Sequence, residues 1–244
     1  HKVSEQDKRM VAIHESGHAI VGHFLPGCDE VHLITIVPRG QAAGHTLALP
    51  GEEHDNLSRS QLLDQVCMML GGHAAEDVTL NEVYTGSSSD LKRATEMCRK
   101  MVTQFGMSEK LGTIYLGSDQ EVFVGMEFGQ SREYSEKVAA EIDEEVRRML
   151  TECYERAKKV LRDHADRLDK LVDTLLKEDT VSRAEFVALM ENGEIPAGVN
   201  GDKPQHDADI PNEAKPSEKP ATDGKPEIPD DVMKLDNLMD NSKE

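Results

Sequence analysis

The chain has 244 residues and a formal net charge of −19, from 28 Lys+Arg against 47 Asp+Glu. That length allows one large domain or two small ones with an ample core. The acidic balance, with no basic cluster to offset it, argues against nucleic acid or an anionic membrane surface as the main partner.

Aromatic residues make up 4% and Trp is absent, so the core must be aliphatic and Met-rich. Cys28, Cys67, Cys98 and Cys153 form no C-x-x-C pair. Three of them fall in helical stretches, where cysteine is a small core residue, and this fits a reducing compartment. No apolar run approaches the roughly 18–20 residues a membrane span needs. The opening lacks the layout of a secretory leader. Because the chain starts at His1, a fragment of a longer protein is expected.

Residues 4–24 read as a helix. Its stretch "VAIHESGHAIVGHF" has the apolar spacing of a buried element yet carries His14, Glu15, His18 and His23. Burying so many polar groups is costly without a compensating partner. Next come "VHLITIVPRG" and "GHTLALP", β-rich runs joined by a Gly-containing loop, read as a small sheet or hairpin. A helix over 58–77 follows, with Asn56 or Ser58 as its cap. The turn "TGSSSD" feeds the helix "DLKRATEMCRKMVTQFG", for which Gly106 is a natural stop. "TIYLG" and "EVFVG" are short strand-like runs.

Tyr134, Val138, Ile142, Val146, Met149, Cys153, Ala157 and Val160 then form one apolar stripe on a long helix. Leu168, Leu171, Val172 and Leu175 form a second stripe. Ser182 and Glu185 have the spacing of a capping box. Both stripes read as bundle core.

Residues 201–244 hold six of the ten prolines, 12 acidic and 6 basic residues. The region 193–244 is therefore expected to be a disordered acidic tail. Residues 232–239 within it could form a short amphipathic turn. The expected fold class is mainly α: a folded part over 1–192 with a small β element, a helical core over 1–130 and bundled helices over 131–192.

On a helix, residues four apart lie on one face, separated by about 40°. His14 and His18 can therefore bind one metal ion together. Glu15, rotated about 100° from His14, flanks the ion and can hold water. This is H-E-x-x-H, two zinc ligands and a general base. Zinc lowers the pKa of its water toward about 7. Glu15 would take the proton as water attacks a carbonyl carbon and pass it to the leaving amine. Gly17, Ala19 and Gly22 are small enough for other backbone to approach this face. His23 lies about 140° round the helix from His18 and is no ligand on that geometry.

A catalytic zinc needs a third protein ligand from elsewhere. His73, Glu76, Asp77, Glu82 and Asp90 all qualify by type, with His32, His45 and His54 as outsiders. Asp90 opens a helix behind a Gly-Ser turn, where a carboxylate is rigidly placed; it could equally serve only the helix dipole. Two other readings stay open. One is a non-catalytic helical oligomerisation module with a vestigial site, against which the intact Glu15 argues. The other is a zincin whose third ligand is Glu76 or Glu82.

"HESGHAIVG", "ITIVPRG", "GGHAAED", "YTGSSSDLKRAT" and "MVTQFGMSEKLG" occur in the order seen in the peptidase domain of the FtsH family, membrane-anchored AAA+ zinc proteases. The resemblance covers about residues 4–192. It implies a mainly helical protease domain with zinc held by His14, His18 and Asp90, and Glu15 as catalytic base. It also implies a homo-hexamer whose ATPase ring feeds unfolded or damaged polypeptide to the protease ring. The full-length protein would sit in a bacterial cell membrane with this domain on the cytoplasmic side. The chain departs from the family pattern in having His73 for the usual arginine, Asp77 for glutamate and Ser87 for alanine. It contains no P-loop, so ATP would act only through a missing part.

Overall fold

Ser4 starts the first helix as its N-cap, the hydroxyl accepting from the Asp7 N–H at 3.0 Å. From there α1 (Glu5–Phe24) runs until Leu25, whose backbone is extended ahead of Pro26, as a residue preceding proline prefers. The computed structural model describes residues 4–38, 40, 42–51, 56–117 and 134–199. The element order is α1, β1 (Glu30–Thr35), β2 (His45–Leu49), α2 (Arg59–Leu80), a 3₁₀ turn (Thr85–Ser87), α3 (Ser88–Thr103), α4 (Glu136–Asp163), α5 (Ala165–Glu178), β3 (Thr180–Ser182) and α6 (Arg183–Asn192). The fold is mainly α with a small sheet, as expected. No helix among the described residues is long and apolar enough to cross a membrane.

The sheet has the order β2-β1-β3, with both pairings antiparallel. The expected hairpin is β1–β2. The third strand was not expected. It is three residues long and sits between two helices, too short for a period of two to register. Its Val181 is fully buried and pairs with Ile34. Ser182 then ends the strand and caps α6 in a complete capping box with Glu185. α2 begins the same way, from Ser58 and Gln61. Residues 113–117 form no strand. Their backbone is irregular, and Leu116 donates instead to the Thr103 carbonyl at 2.6 Å. The run 121–125 and the tail from residue 200 lie outside the described residues.

The two apolar stripes do form core. Ile142, Val146, Met149, Cys153 and Ala157 of α4 are buried, as are Leu168, Leu171, Val172 and Leu175 of α5. α4 packs across α2 and α3, and α5 packs on α1. One apolar core runs through all of these elements.

The closest approach is between α1 and α2. A Cβ on Gly17 would stand 2.2 Å from the Gly71 carbonyl oxygen and 2.6 Å from Ala75 Cβ. Conversely, one on Gly71 would stand 2.7 Å from the Gly17 oxygen. Backbone meets backbone here, and no side chain can yield to make room. Gly17→Ala should therefore destabilise the fold by about 3 kcal/mol, the upper end of typical overpacking. Urea unfolding of the two proteins measures this. A loss below about 1 kcal/mol would mean the helices can part at little cost.

Candidate metal centre

His14 and His18 stand one turn apart on α1 with their Nε2 atoms 3.0 Å from each other. Each ring is held through its other nitrogen. His14 Nδ1 lies 2.6 Å from Glu76 Oε1, and His18 Nδ1 lies 2.8 Å from the Met68 carbonyl oxygen. A carbonyl or carboxylate oxygen only accepts, so both Nδ1 atoms carry the hydrogen. Both Nε2 atoms turn to Asp90, whose Oδ2 is 3.3 Å from one and 3.4 Å from the other. One donor atom from each of these three residues falls within 4.8 Å of the other two. Among the described residues no other three His, Cys, Asp or Glu side chains converge in this way.

Two imidazole nitrogens so close cannot both present lone pairs to a carboxylate unless a proton or a cation lies among them. Burial by itself would lower the His14 pKa, but hydrogen bonds to Asp90 and Glu76 outweigh it and push it up to about 10. Burial would raise the Asp90 pKa, yet its bonds to His14 and His18 hold it well below the usual carboxylate range. The trapped proton occupies the place a cation would take. Two imidazoles and a carboxylate, each ring oriented by an outer acceptor, suit zinc in type and number.

Glu15 is buried on the same helix, and Thr46 of β2 donates its hydroxyl to Glu15 Oε2 at 2.7 Å. Gly44, just before that strand, lies against the Glu15 side chain; a Cβ there would stand 2.9 Å from Glu15 Cγ. The hairpin thus fixes the carboxyl group from one side.

The remaining residues singled out by type have other partners. Glu76 is fully buried and bridges: Oε1 meets His14, while Oε2 accepts the Tyr84 N–H at 2.9 Å. His73 Nδ1 lies 2.7 Å from Ser87 Oγ, so two of the departures from the family pattern touch each other. Asp77, the third departure, accepts from the Tyr154 hydroxyl at 2.8 Å and pairs with Lys158 at 3.5 Å. Glu82 is exposed. His23 packs edge-on against Phe24 and Phe186, and burial lowers its pKa. His32 faces Arg183 at 3.4 Å and His45 lies in β2. His54 is outside the described residues.

Three supports were not foreseen: Thr46, the Met68 carbonyl and Gly72. A Cβ on Gly72 would lie 2.5 Å from His14 Cε1, so only glycine leaves the ring its place. The adjacent pair Gly71–Gly72 inside a helical pattern was the available signal, since glycine there is otherwise destabilising.

The profile of peptidase family M41 matches residues 1–189. The chain is 48% identical over 203 residues to the ATP-dependent zinc metalloprotease FtsH of Pseudothermotoga lettingae, covering 82% of this chain and 32% of that one. It is 42% identical over 207 residues to the protein of the same name from Bacillus subtilis, covering 84% and 32% respectively. It therefore spans about a third of the length of these curated relatives. By the extent of the profile match, the chain belongs to peptidase family M41.

Proposed function

We propose that this chain is a zinc-dependent endopeptidase of the H-E-x-x-H type, with His14, His18 and Asp90 as metal ligands and Glu15 as general base. The observation that carries the reading is the convergence of two oriented imidazoles and one carboxylate, with a buried glutamate beside them. A zinc ion there would supply Lewis acidity, polarising the scissile carbonyl and making water acidic near neutral pH. Glu15 takes the proton of the attacking water and delivers it to the leaving amine. Thr46 holds one Glu15 oxygen, which orients the other for that transfer. The intact base and its support speak against a vestigial site.

The names of the relatives support an ATP-dependent protease; the substrates, homo-hexamer and membrane setting rest on the resemblance to the FtsH family. The chain would be the peptidase part of a longer ATP-dependent protease, acting on unfolded or damaged polypeptides as a homo-hexamer. Its ATPase and membrane segments would lie outside this sequence, and the membrane would be the bacterial cell membrane, with this part on the cytoplasmic side.

Among the described residues β2 lies at the edge of the sheet, with β1 on one side and no strand on the other, beside the base. An extended substrate can pair with such an edge through its backbone, irrespective of its side chains. Proline scanning of a cleaved peptide should show positions where loss of an N–H blocks hydrolysis. Uniform tolerance of proline would exclude strand pairing.

Glu15→Gln should keep the fold and the zinc but lower peptide hydrolysis by at least about a hundredfold, the scale of general-base catalysis. Retention of more than a few per cent of activity would remove Glu15 from that role.

Metal uptake must displace the His14 proton. With the His14 pKa near 10 in the metal-free chain, that proton is bound throughout neutral pH. Zinc affinity should therefore rise by about tenfold per pH unit between roughly pH 7 and 9, as one proton is released for each ion bound. Competition with a chelator of known affinity measures this. A flat affinity over that range would mean that His14 carries no proton to displace.

A further inference from the structure

Asp90 sits three residues after Ser87, the S-x-x-acid spacing of a capping box. Two other serines in this chain complete such boxes, Ser58 with Gln61 and Ser182 with Glu185, and both have extended backbones, with ψ of 162° and 166°. The box at Ser87 is open. Its backbone stays in the 3₁₀ turn, with ψ of 6°, and its hydroxyl caps nothing on α3. That hydroxyl donates instead to the Tyr84 carbonyl at 3.1 Å. The His73 Nδ1–H therefore donates to Ser87 Oγ, at 2.7 Å.

We propose that His73 is a positioning residue: by engaging Ser87 it holds the 3₁₀ entry to α3 and keeps the Ser87/Asp90 capping box from closing, which leaves Asp90 directed at His14 and His18. This rests on the reading of those three residues as the metal donors.

The supporting geometry is local. Both peptide groups of Tyr84 are tied to α2, the N–H to Glu76 and the carbonyl through Ser87 to His73. His73 and Glu76 lie three residues apart, hence on one face of that helix. Between these ties Gly86 is exposed and a Cβ there would meet no described atom within 4 Å, while Ser87 beside it is buried. Without the His73 bond, the ordinary preference of serine for capping competes for the same backbone. In a closed box the N3 side chain reaches back to the N-cap N–H, which would draw the Asp90 carboxylate away from the imidazoles.

The test compares zinc affinities, by chelator competition, of the wild-type chain with His73→Phe, His73→Asn and Ser87→Ala. Phe keeps the ring that faces Tyr154 at 5.7 Å but has no donor, whereas Asn can present an N–H close to the Nδ1 position. His73→Phe should bind zinc about tenfold more weakly, as loss of an outer-shell contact does, while His73→Asn should recover most of the affinity. Ser87→Ala removes the hydroxyl that would close the box, so it should lose less affinity than His73→Phe, and adding it to His73→Phe should restore part of the loss, since the two residues act as one unit. An affinity of His73→Phe equal to wild type, a loss in Ser87→Ala as large as in His73→Phe, or loss in the Asn variant with retention in the Phe variant, would overturn the proposal. A wild-type chain that takes up no zinc would overturn the metal reading together with it. Wild-type uptake that depends on His14 but not on His73 would overturn this inference alone.

Discussion

The contact of Gly17 with Gly71 sets the distance at which everything else is arranged. His14 reaches Glu76 while His18 reaches Met68, so α1 and α2 run antiparallel across this point. With any larger residue at the crossing, the helices would part. A hydrogen bond of 2.6 or 2.8 Å tolerates little separation before it weakens. His14 and His18 are thus oriented by a helix that carries neither of them, and the orientation depends on the absence of two side chains. Gly72 extends the same logic by one residue, leaving the space that the His14 ring fills.

Around the two imidazoles stand three carboxyl side chains, Glu15, Glu76 and Asp90. Groups of this kind are rarely placed in a dry interior unless each is bonded. Glu76 has a donor on each oxygen, Glu15 has the Thr46 hydroxyl, and Asp90 faces both Nε2 atoms. The cluster nevertheless remains richer in acidic than in basic groups. The raised His14 pKa expresses that excess as a retained proton. A dication placed among the three donors would balance it more fully.

What could be read from the sequence was what depends on neighbours along the chain. The spacing of His14 and His18, the Ser58 and Ser182 caps and the stripes of α4 and α5 are set within a few residues, and each is present in the fold. Contacts between distant segments left no such trace. Thr46 looked like any strand residue, β3 was too short to show a period, and residues 113–117 had strand-like composition but no partner edge among the described residues. Chemistry alone left the third donor open among several acids, because nothing local measures the distance from α1 to α3. The resemblance to a family singled out Asp90, and the fold brings that side chain to the two histidines.

Hydrogen-bond accounting separates Asp90 from Glu76, which has the same chemistry and lies nearer His14, at 2.6 Å against 3.3 Å. Turning either Glu76 oxygen toward a metal would strip a partner from the His14 Nδ1–H or from the Tyr84 N–H. A buried donor left without an acceptor costs about 1–3 kcal/mol. The first loss would also release the His14 ring. The second would loosen the turn that leads into α3. Asp90 Oδ2 carries no such obligation, since the atoms it faces are the two Nε2 nitrogens. Under the proposed reading the longer acid is the brace and the shorter one the donor, an ordering set by which oxygens are already engaged.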